Sequence, residues 1–165
     1  MRTYLFSILK ELILIKPNVM LLLVGNGEDE QRLKQEVLEL NLTSYVLFLG
    51  RRTDVSDLLS AMDVFLLPSK YEGLPVSLVE AQASGLQILS SDTVTQEVNV
   101  TQNISYLPIT EESVLLWKDK VLSLTSEESN RFTINDSMTD GPYDICYQAS
   151  KLLNRYQEMC VIKEI

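Results

Sequence analysis

The chain has 165 residues, 14 Lys and Arg against 23 Asp and Glu, a net charge of −9 and no histidine. That length fits one domain, and a hydrophobic fraction of 45% supplies an ordinary globular core. The acidic balance argues against a nucleic-acid surface, which needs clustered Lys and Arg. A zinc site lacks its ligands, and no apolar run reaches the roughly 20 residues of a membrane span.

Residues 2 to 15 show helical apolar spacing through Leu5, Ile8, Leu9 and Leu12, with Ile13 and Ile15 adjoining, and Pro17-Asn18 stops the helix. Val19 to Val24 reads as a buried parallel strand closed by Gly25 and Gly27. Asp29 to Leu40 is an amphipathic helix with Leu33, Val37, Leu38 and Leu40 near one face, and Tyr45 to Leu49 is the next strand. Asp54 or Ser56 can cap a helix running to about Met62. Val64 to Leu67 is a strand, 75 to 84 a helix ended by Gly85, and Leu86 to Ser90 a further strand, with one more at Asn103 to Leu107. From Glu111 the pattern is helical, interrupted by a polar loop or short helix around Ser126 to Gly141, and Asp144 to Met159 is the last helix. Strands alternating with helices predict an α/β, Rossmann-like parallel sheet with helices on both faces. Cys146 and Cys160 have neither metal nor disulfide-framework spacing and read as buried or partly buried free thiols in a reducing cytoplasm.

The junction from Val64 to Ala81 concentrates the chemistry. A strand, a Gly/Pro loop and a helix start place Glu72 in the loop and Glu80 about one and a half turns into the helix. Free backbone N–H groups at a helix start make an anion site, and nearby carboxylates accept from hydroxyls, so phosphate plus hydroxyls suggests a nucleotide sugar. Leu74 and Val76 offer N–H groups there, whereas Pro75 has none. Ser77 can meet a phosphate through its hydroxyl and its N–H. Gly73 is either a turn glycine or a point of close backbone approach, and both can hold. By spacing alone Glu80 reads better as a helix-surface carboxylate, and Glu72 can be a solvated turn residue. Asp54 is equally a helix cap, Lys70 reads better as a surface lysine, and Gly25-Asn26-Gly27 reads better as a tight turn than as a dinucleotide fingerprint.

Pro68-Ser69-Lys70-Tyr71-Glu72-Gly73-Leu74-Pro75-Val76-Ser77-Leu78-Val79-Glu80 resembles the Glu-x7-Glu motif of the family 4 type retaining glycosyltransferases, the glycosyl transferases group 1, which have the GT-B fold. Leu21 to Gly27, Val46 to Gly50, Ala61 to Ser69 and Ala81 to Asp92 resemble further landmarks of that family in the same order. The similarity covers residues 4 to 108 well and extends more loosely over the last helix.

The resemblance implies that the chain is the second, donor-binding half of a GT-B fold. It implies one domain over 1–165, with the motif region at 1–108 and C-terminal helices at 109–165. The acceptor-binding half, the first strand of the donor half and the basic loop after it have no counterpart, so an N-terminally truncated chain is expected. Carried over, Glu80 accepts from ribose hydroxyls, and Glu72 is the catalytic candidate beside the donor sugar. Gly73, Leu74, Val76 and Ser77 approach the diphosphate, and the loop with Arg52 and Asp54 borders the nucleobase. The implied activity is retaining hexosyl transfer from a nucleotide-sugar donor to a lipid-linked saccharide in extracellular or capsular polysaccharide assembly. No cofactor or metal is implied, and the setting is the cytoplasm at the inner face of the cell membrane, with peripheral membrane association. Apolar surface left by the lost strand and half implies self-association. The alternative is a catalytically inactive nucleotide-binding or scaffold module that keeps the fold. A lost first strand leaves either a gap or a direct pairing of its neighbours.

Overall fold

Two parallel sheets stand side by side in the computed structural model, which describes residues 2–126 and 138–161. In chain order the elements are α1 (Arg2–Ile13), β1 (Leu21–Val24), α2 (Glu30–Glu39), β2 (Val46–Gly50), α3 (Val55–Ala61), β3 (Val64–Leu67), α4 (Val76–Ala83), β4 (Gln87–Ser91), β5 (Ile104–Leu107), α5 (Val114–Ser126) and α6 (Ile145–Val161). Single 3₁₀ turns at Gln96–Val98 and Glu111–Ser113 flank β5. The α/β alternation expected over 19 to 108 is therefore present. The expected loop of 126 to 141 falls mostly outside the described residues.

β1 pairs in parallel with β2, Leu22 opposite Leu47. β3 pairs with β4, Phe65 opposite Ile88, and β4 with β5, Leu89 opposite Ser105. Among the described residues no ladder joins β1 to β3. A gap stands between the facing edges of β1 and β3.

The helices explain how the halves stay together. α1 turns Phe6 and Leu9 into a core shared with Leu33, Val37, Leu42 and Val46. Its Ile8 and Leu12 enter a second core with Leu89, Trp117 and Val121. One amphipathic helix thus bridges both sheets. Phe6, absent from the expected stripe, is fully buried, whereas Ile15 lies beyond the helix and is exposed. Trp117 stacks edge-on with Tyr4, ring centroids 5.8 Å apart, and its indole N–H donates to the Pro108 carbonyl at 2.9 Å. A third core unites Leu78 and Ala81 of α4 with Leu86, Ile88, Val98 and Ile104.

Helix ends follow local chemistry. The Gly85 N–H donates to Gln82 O (2.9 Å) and the Leu86 N–H to Ala81 O (3.1 Å), closing α4 with Gly85 at φ 69°. Asn41, at φ 58°, closes α2 in the same way through Leu42 and Val37. Two expectations fail here. Leu38 is exposed, because it sits about 100° round the helix from buried Val37. Asp54 stands at the start of α3 but makes no side-chain cap bond, since its carboxylate is taken by Arg52.

α6 is amphipathic, yet Leu152, Leu153, Tyr156 and Met159 are all exposed. Cys146 and Cys160 are exposed with them, contrary to the buried thiols expected. A helical apolar period shows a face that could pack, and here no described element packs against it. Among the described residues no helix is long and apolar enough to cross a membrane.

Candidate functional site

The loop from Pro68 to Pro75 leaves the C-terminal end of β3 and feeds α4. Its shape is set by hydroxyls from the neighbouring strand. β4 places Ser90 opposite Leu67, so Ser91 arrives one step beyond, beside the start of the loop. Ser91 Oγ donates to the Ser69 carbonyl, and Thr93 Oγ1 donates to the same oxygen at 2.8 Å. Ser69 is buried at 1% exposure. Its own hydroxyl lies 2.7 Å from Glu72 Oε1 and 3.1 Å from the Tyr71 carbonyl, with the shorter contact to the carboxylate. A hydrogen bond to a charged acceptor is among the stronger kinds. Glu72 is thus half-buried and held by a side chain that is itself pinned from β4.

α4 starts behind the buried Pro75, whose carbonyl accepts the Leu78 N–H at 2.9 Å. The first helical residues, Val76 and Ser77, carry N–H groups with no carbonyl one turn back inside the helix. Gly73, Leu74 and Val76 are exposed and Ser77 is half-buried. A Cβ built on Gly73 meets nothing within 4 Å, so the space over this backbone is open. Glu80 lies one turn into α4 on an exposed face. Among the described residues no hydrogen bond or ion pair holds its carboxylate, which leaves it available to hydroxyl donors.

Across the gap, Gly25 at the end of β1 donates its N–H to the Gly50 carbonyl at 2.7 Å, binding that turn to the end of β2. Arg52 and Asp54 follow Gly50 and form a two-point ion pair, Nε to Oδ1 at 2.8 Å and Nη2 to Oδ2 at 2.5 Å. The Arg52 hydrogen bond holds the Asp54 carboxyl below its ordinary value, and the same bond raises the Arg52 guanidinium. Arg52 therefore faces its own loop's carboxylate rather than standing ready for a phosphate.

The Gly25 turn follows β1, the Arg52–Asp54 turn follows β2, the Glu72 loop and α4 follow β3, and Ser91 and Thr93 stand at the end of β4, so all gather at the C-terminal ends of parallel strands. That edge is where open α/β sheets hold their ligands. A cavity of about 640 Å³ lies between β1 and β3 and reaches Gly25, Gly27 and Pro68. None of Glu72, Gly73, Leu74, Val76, Ser77, Glu80, Arg52 or Asp54 lines it. The Glu72–Glu80 junction is instead an open shelf beside the cavity mouth. Among the described residues no three His, Cys, Asp or Glu side chains gather as metal ligands.

Reading the sequence missed Ser69, Ser91 and Thr93 as the framework of this shelf. The available signal was small hydroxyl residues at the end of a strand predicted to neighbour the motif strand. It also missed Gln82, fully buried on α4. Gln82 Nε2 donates to the Leu78 and Val98 carbonyls at 3.1 and 2.8 Å. Its Oε1 accepts from the Val100 N–H, the Thr101 N–H and the Thr101 hydroxyl at 3.0, 3.1 and 3.0 Å. This one side chain fastens the helix that carries Glu80.

Comparison with known proteins gives concordant findings. The family model described as glycosyl transferases group 1 matches residues 4–136. EpsF of Bacillus subtilis, which carries a glycosyltransferase name, is 35% identical over 82% of this chain and 36% of its own length. The UDP-Gal:alpha-D-GlcNAc-diphosphoundecaprenol alpha-1,3-galactosyltransferase of Escherichia coli is 30% identical over 89% of this chain and 39% of its own. The chain thus spans less than two fifths of either relative. In fold it resembles the crystallised C-terminal domain of a glycosyl transferase group 1 protein from Francisella tularensis, with a TM-score of 0.68 at 20% identity. That match covers 86% of this chain and 78% of that one.

Proposed function

The chain belongs to the glycosyl transferases group 1 family, and from that membership we propose that it is the donor-holding part of a retaining, nucleotide-sugar-dependent glycosyltransferase. The observation that carries this reading is the Glu72 carboxylate, fixed by buried Ser69 at the start of α4 beside the exposed backbone of Gly73 to Val76. The diphosphate meets the N–H groups of Val76 and Ser77 and the Ser77 hydroxyl, where the positive end of the helix favours an anion. Glu80, one turn deeper and unrestrained, accepts from the ribose hydroxyls. Glu72 orients the sugar and stabilises positive charge developing at its reacting carbon. In this reading Arg52 and Asp54 shape the wall beside the base through their loop's backbone, since their side chains are engaged with each other.

The substrate class follows from the kin. The Escherichia coli relative is named for a UDP-sugar donor and a diphosphoundecaprenol-linked acceptor. By analogy we assign this chain's intact form a nucleotide-sugar donor and a lipid-linked saccharide acceptor, in polysaccharide assembly at the inner membrane face. The reaction as read requires no bound metal.

Calorimetric titration with UDP, GDP and ADP tests the reading. One of them should bind weakly with single-site stoichiometry. Glu80→Ala should weaken that binding by about tenfold to a hundredfold, as expected for a lost hydrogen bond to a charged group of about 1.5–3 kcal/mol. Absence of binding by all three would favour the alternative, a scaffold that keeps the fold without the ligand.

A further inference from the structure

The turn between β1 and α2 carries a chemistry that stands apart from the donor-site reading. Asn26 is the chain's only asparagine followed by glycine, and the other seven precede larger residues. Asparagine is thermally labile, because the next backbone nitrogen can attack its side-chain amide carbon and close a five-membered ring. A Cβ on that next residue crowds the attack, and glycine has none. The fold sharpens the contrast. Asn26 and Gly27 are both exposed. The turn is anchored on either side of them: the Gly25 N–H donates to the Gly50 carbonyl at 2.7 Å, and the Gly27 carbonyl accepts the Glu30 N–H at 3.1 Å. Among the described residues, neither the Asn26 carboxamide nor the Gly27 N–H has a hydrogen-bond partner. After three other asparagines the attacking nitrogen is engaged. Behind Asn18 the Val19 N–H donates to Lys16 O at 3.2 Å, behind Asn41 the Leu42 N–H donates to Val37 O at 2.9 Å, and behind Asn99 the Val100 N–H donates to Gln82 Oε1 at 3.0 Å. Asn103 is buried and its own Nδ2 donates to the Leu86 carbonyl, while Asn154 lies inside α6.

We propose that Asn26 is a site of spontaneous deamidation, which converts a neutral turn at the C-terminal strand edge into an anionic one. The Gly27 nitrogen loses its proton to water and bonds to Asn26 Cγ. The Cγ–Nδ2 bond breaks, and Nδ2 takes a proton back from water and leaves as ammonia. The product is a cyclic imide that includes the Gly27 nitrogen. Water then adds to one of the two ring carbonyls. Addition at Cγ breaks the bond from Cγ to the Gly27 nitrogen and leaves aspartate. Addition at the Asn26 main-chain carbonyl breaks the original peptide bond and leaves isoaspartate, whose main chain runs through Cβ and Cγ and is one atom longer. Water is the one co-reactant, and nothing is oxidised or reduced. Both products carry a carboxylate where a neutral amide stood. That amide rests over the end of β2, because Asn26 Oδ1 lies 3.4 Å from the place a Cβ on Gly50 would take. The new charge therefore arises beside the junction of β1 and β2, next to the start of the Arg51-Arg52 turn. The longer isoaspartyl chain falls between the two anchors of the turn, so it also loosens the Gly25–Gly50 bridge.

The experiment is peptide mapping by mass spectrometry of the 165-residue chain, aged in mildly alkaline buffer below its unfolding midpoint. The peptide holding Asn26 should gain one mass unit before any peptide holding another asparagine, and isoaspartyl-specific methylation should label it. Native and urea-unfolded chain should convert at Asn26 at rates within about tenfold of each other, because an exposed turn with unbonded reacting groups withholds little. Asn26→Gln, checked for folding by circular dichroism, should abolish both the mass gain and the label, since its longer side chain closes the ring far more slowly. Gly27→Ala should slow the gain several-fold through its Cβ. Gly27 lies outside the left-handed region, so alanine there keeps the backbone. Conversion of another asparagine ahead of Asn26, or a native rate more than about tenfold below the unfolded one, would overturn the proposal. So would Gly27→Ala converting as fast as the parent, because the ring would then not close through the Gly27 nitrogen.

Discussion

Gln82→Leu offers a demanding test of how the site helix is held. The substitution keeps side-chain volume and deletes five hydrogen bonds, one within α4 to Leu78 and four that tie α4 to the segment from Val98 to Thr101. The Leu78 carbonyl keeps its helical partner and loses little. The Val98 carbonyl belongs to a fully buried residue and is left bare, at about 1–3 kcal/mol. The Val100 and Thr101 N–H groups lie at half-buried residues and recover water in part, adding about 1–2 kcal/mol together. Greater apolar burial by leucine returns about 1 kcal/mol. The net loss is then about 1–4 kcal/mol, a large share of the roughly 5–15 kcal/mol that holds a domain. Urea unfolding followed by circular dichroism should show the midpoint falling by about 0.5–2 M at a slope near 2 kcal/mol per M. Gln82→Glu should also destabilise at neutral pH, since its carboxylate faces the Val98 carbonyl without a proton to give. Burial raises the folded pKa of that new carboxyl above its unfolded value, so its destabilisation should shrink as pH falls from neutral through that raised value, where the protonated form can donate, and be gone by about pH 4. A Gln82→Leu midpoint indistinguishable from the parent would refute the assignment of Gln82 as the fastener.

Three shorter predictions concern the shelf and the last helix. Gly73→Ala should leave the unfolding midpoint unchanged, because its Cβ meets no protein atom within 4 Å, yet should weaken nucleotide binding if ligand backs onto that backbone; a large stability loss would contradict the open space. Ser69→Ala removes the donor to Glu72 and should raise amide exchange through Lys70 to Leu74, while unchanged exchange would show that the bond does not order the loop. Asp144 accepts the N–H groups of Tyr147, Asp140 and Cys146 at 3.1, 3.1 and 2.9 Å, which hold its carboxyl below the ordinary 3.8. A depressed folded pKa stabilises above the unfolded value and loses that effect as pH falls through the folded one, so α6 helicity should decline only below about pH 4. In Asp144→Ala the first turn of α6 should fray at every pH, and an unaltered acid profile would remove Asp144 as the cap.

The strand runs and their order along the chain were legible because most are short apolar segments closed by Gly or Pro, and such punctuation is local. Val64 to Leu67, Pro68 to Pro75 and the helix after them were readable for the same reason. What holds Glu72 was not, because Ser69 meets Ser91 and Thr93 across 22 and 24 residues, and only strand pairing brings them together. Asp54 stayed open between helix cap and site loop, and its Arg52 pairing wins over the helix N–H groups. The cysteines were misread because periodicity on α6 reports a face without reporting a partner. That α1 bridges the two sheets through Phe6, Ile8, Leu9 and Leu12 was not legible, because an apolar stripe does not name its partners.

The central claim is that the loop from Glu72 into α4 holds a nucleotide diphosphate with Glu80 on the ribose. The most direct measurement is a residue-resolved NMR titration of the chain with the nucleotide that binds best. The account predicts shifts concentrated at the amides of Gly73, Leu74, Val76 and Ser77, with Glu80 beside them and with Glu80→Ala reducing their amplitude. Shifts confined to Leu21 to Gly25 and Val64 to Leu67, or shifts on the shelf indifferent to Glu80→Ala, would contradict it.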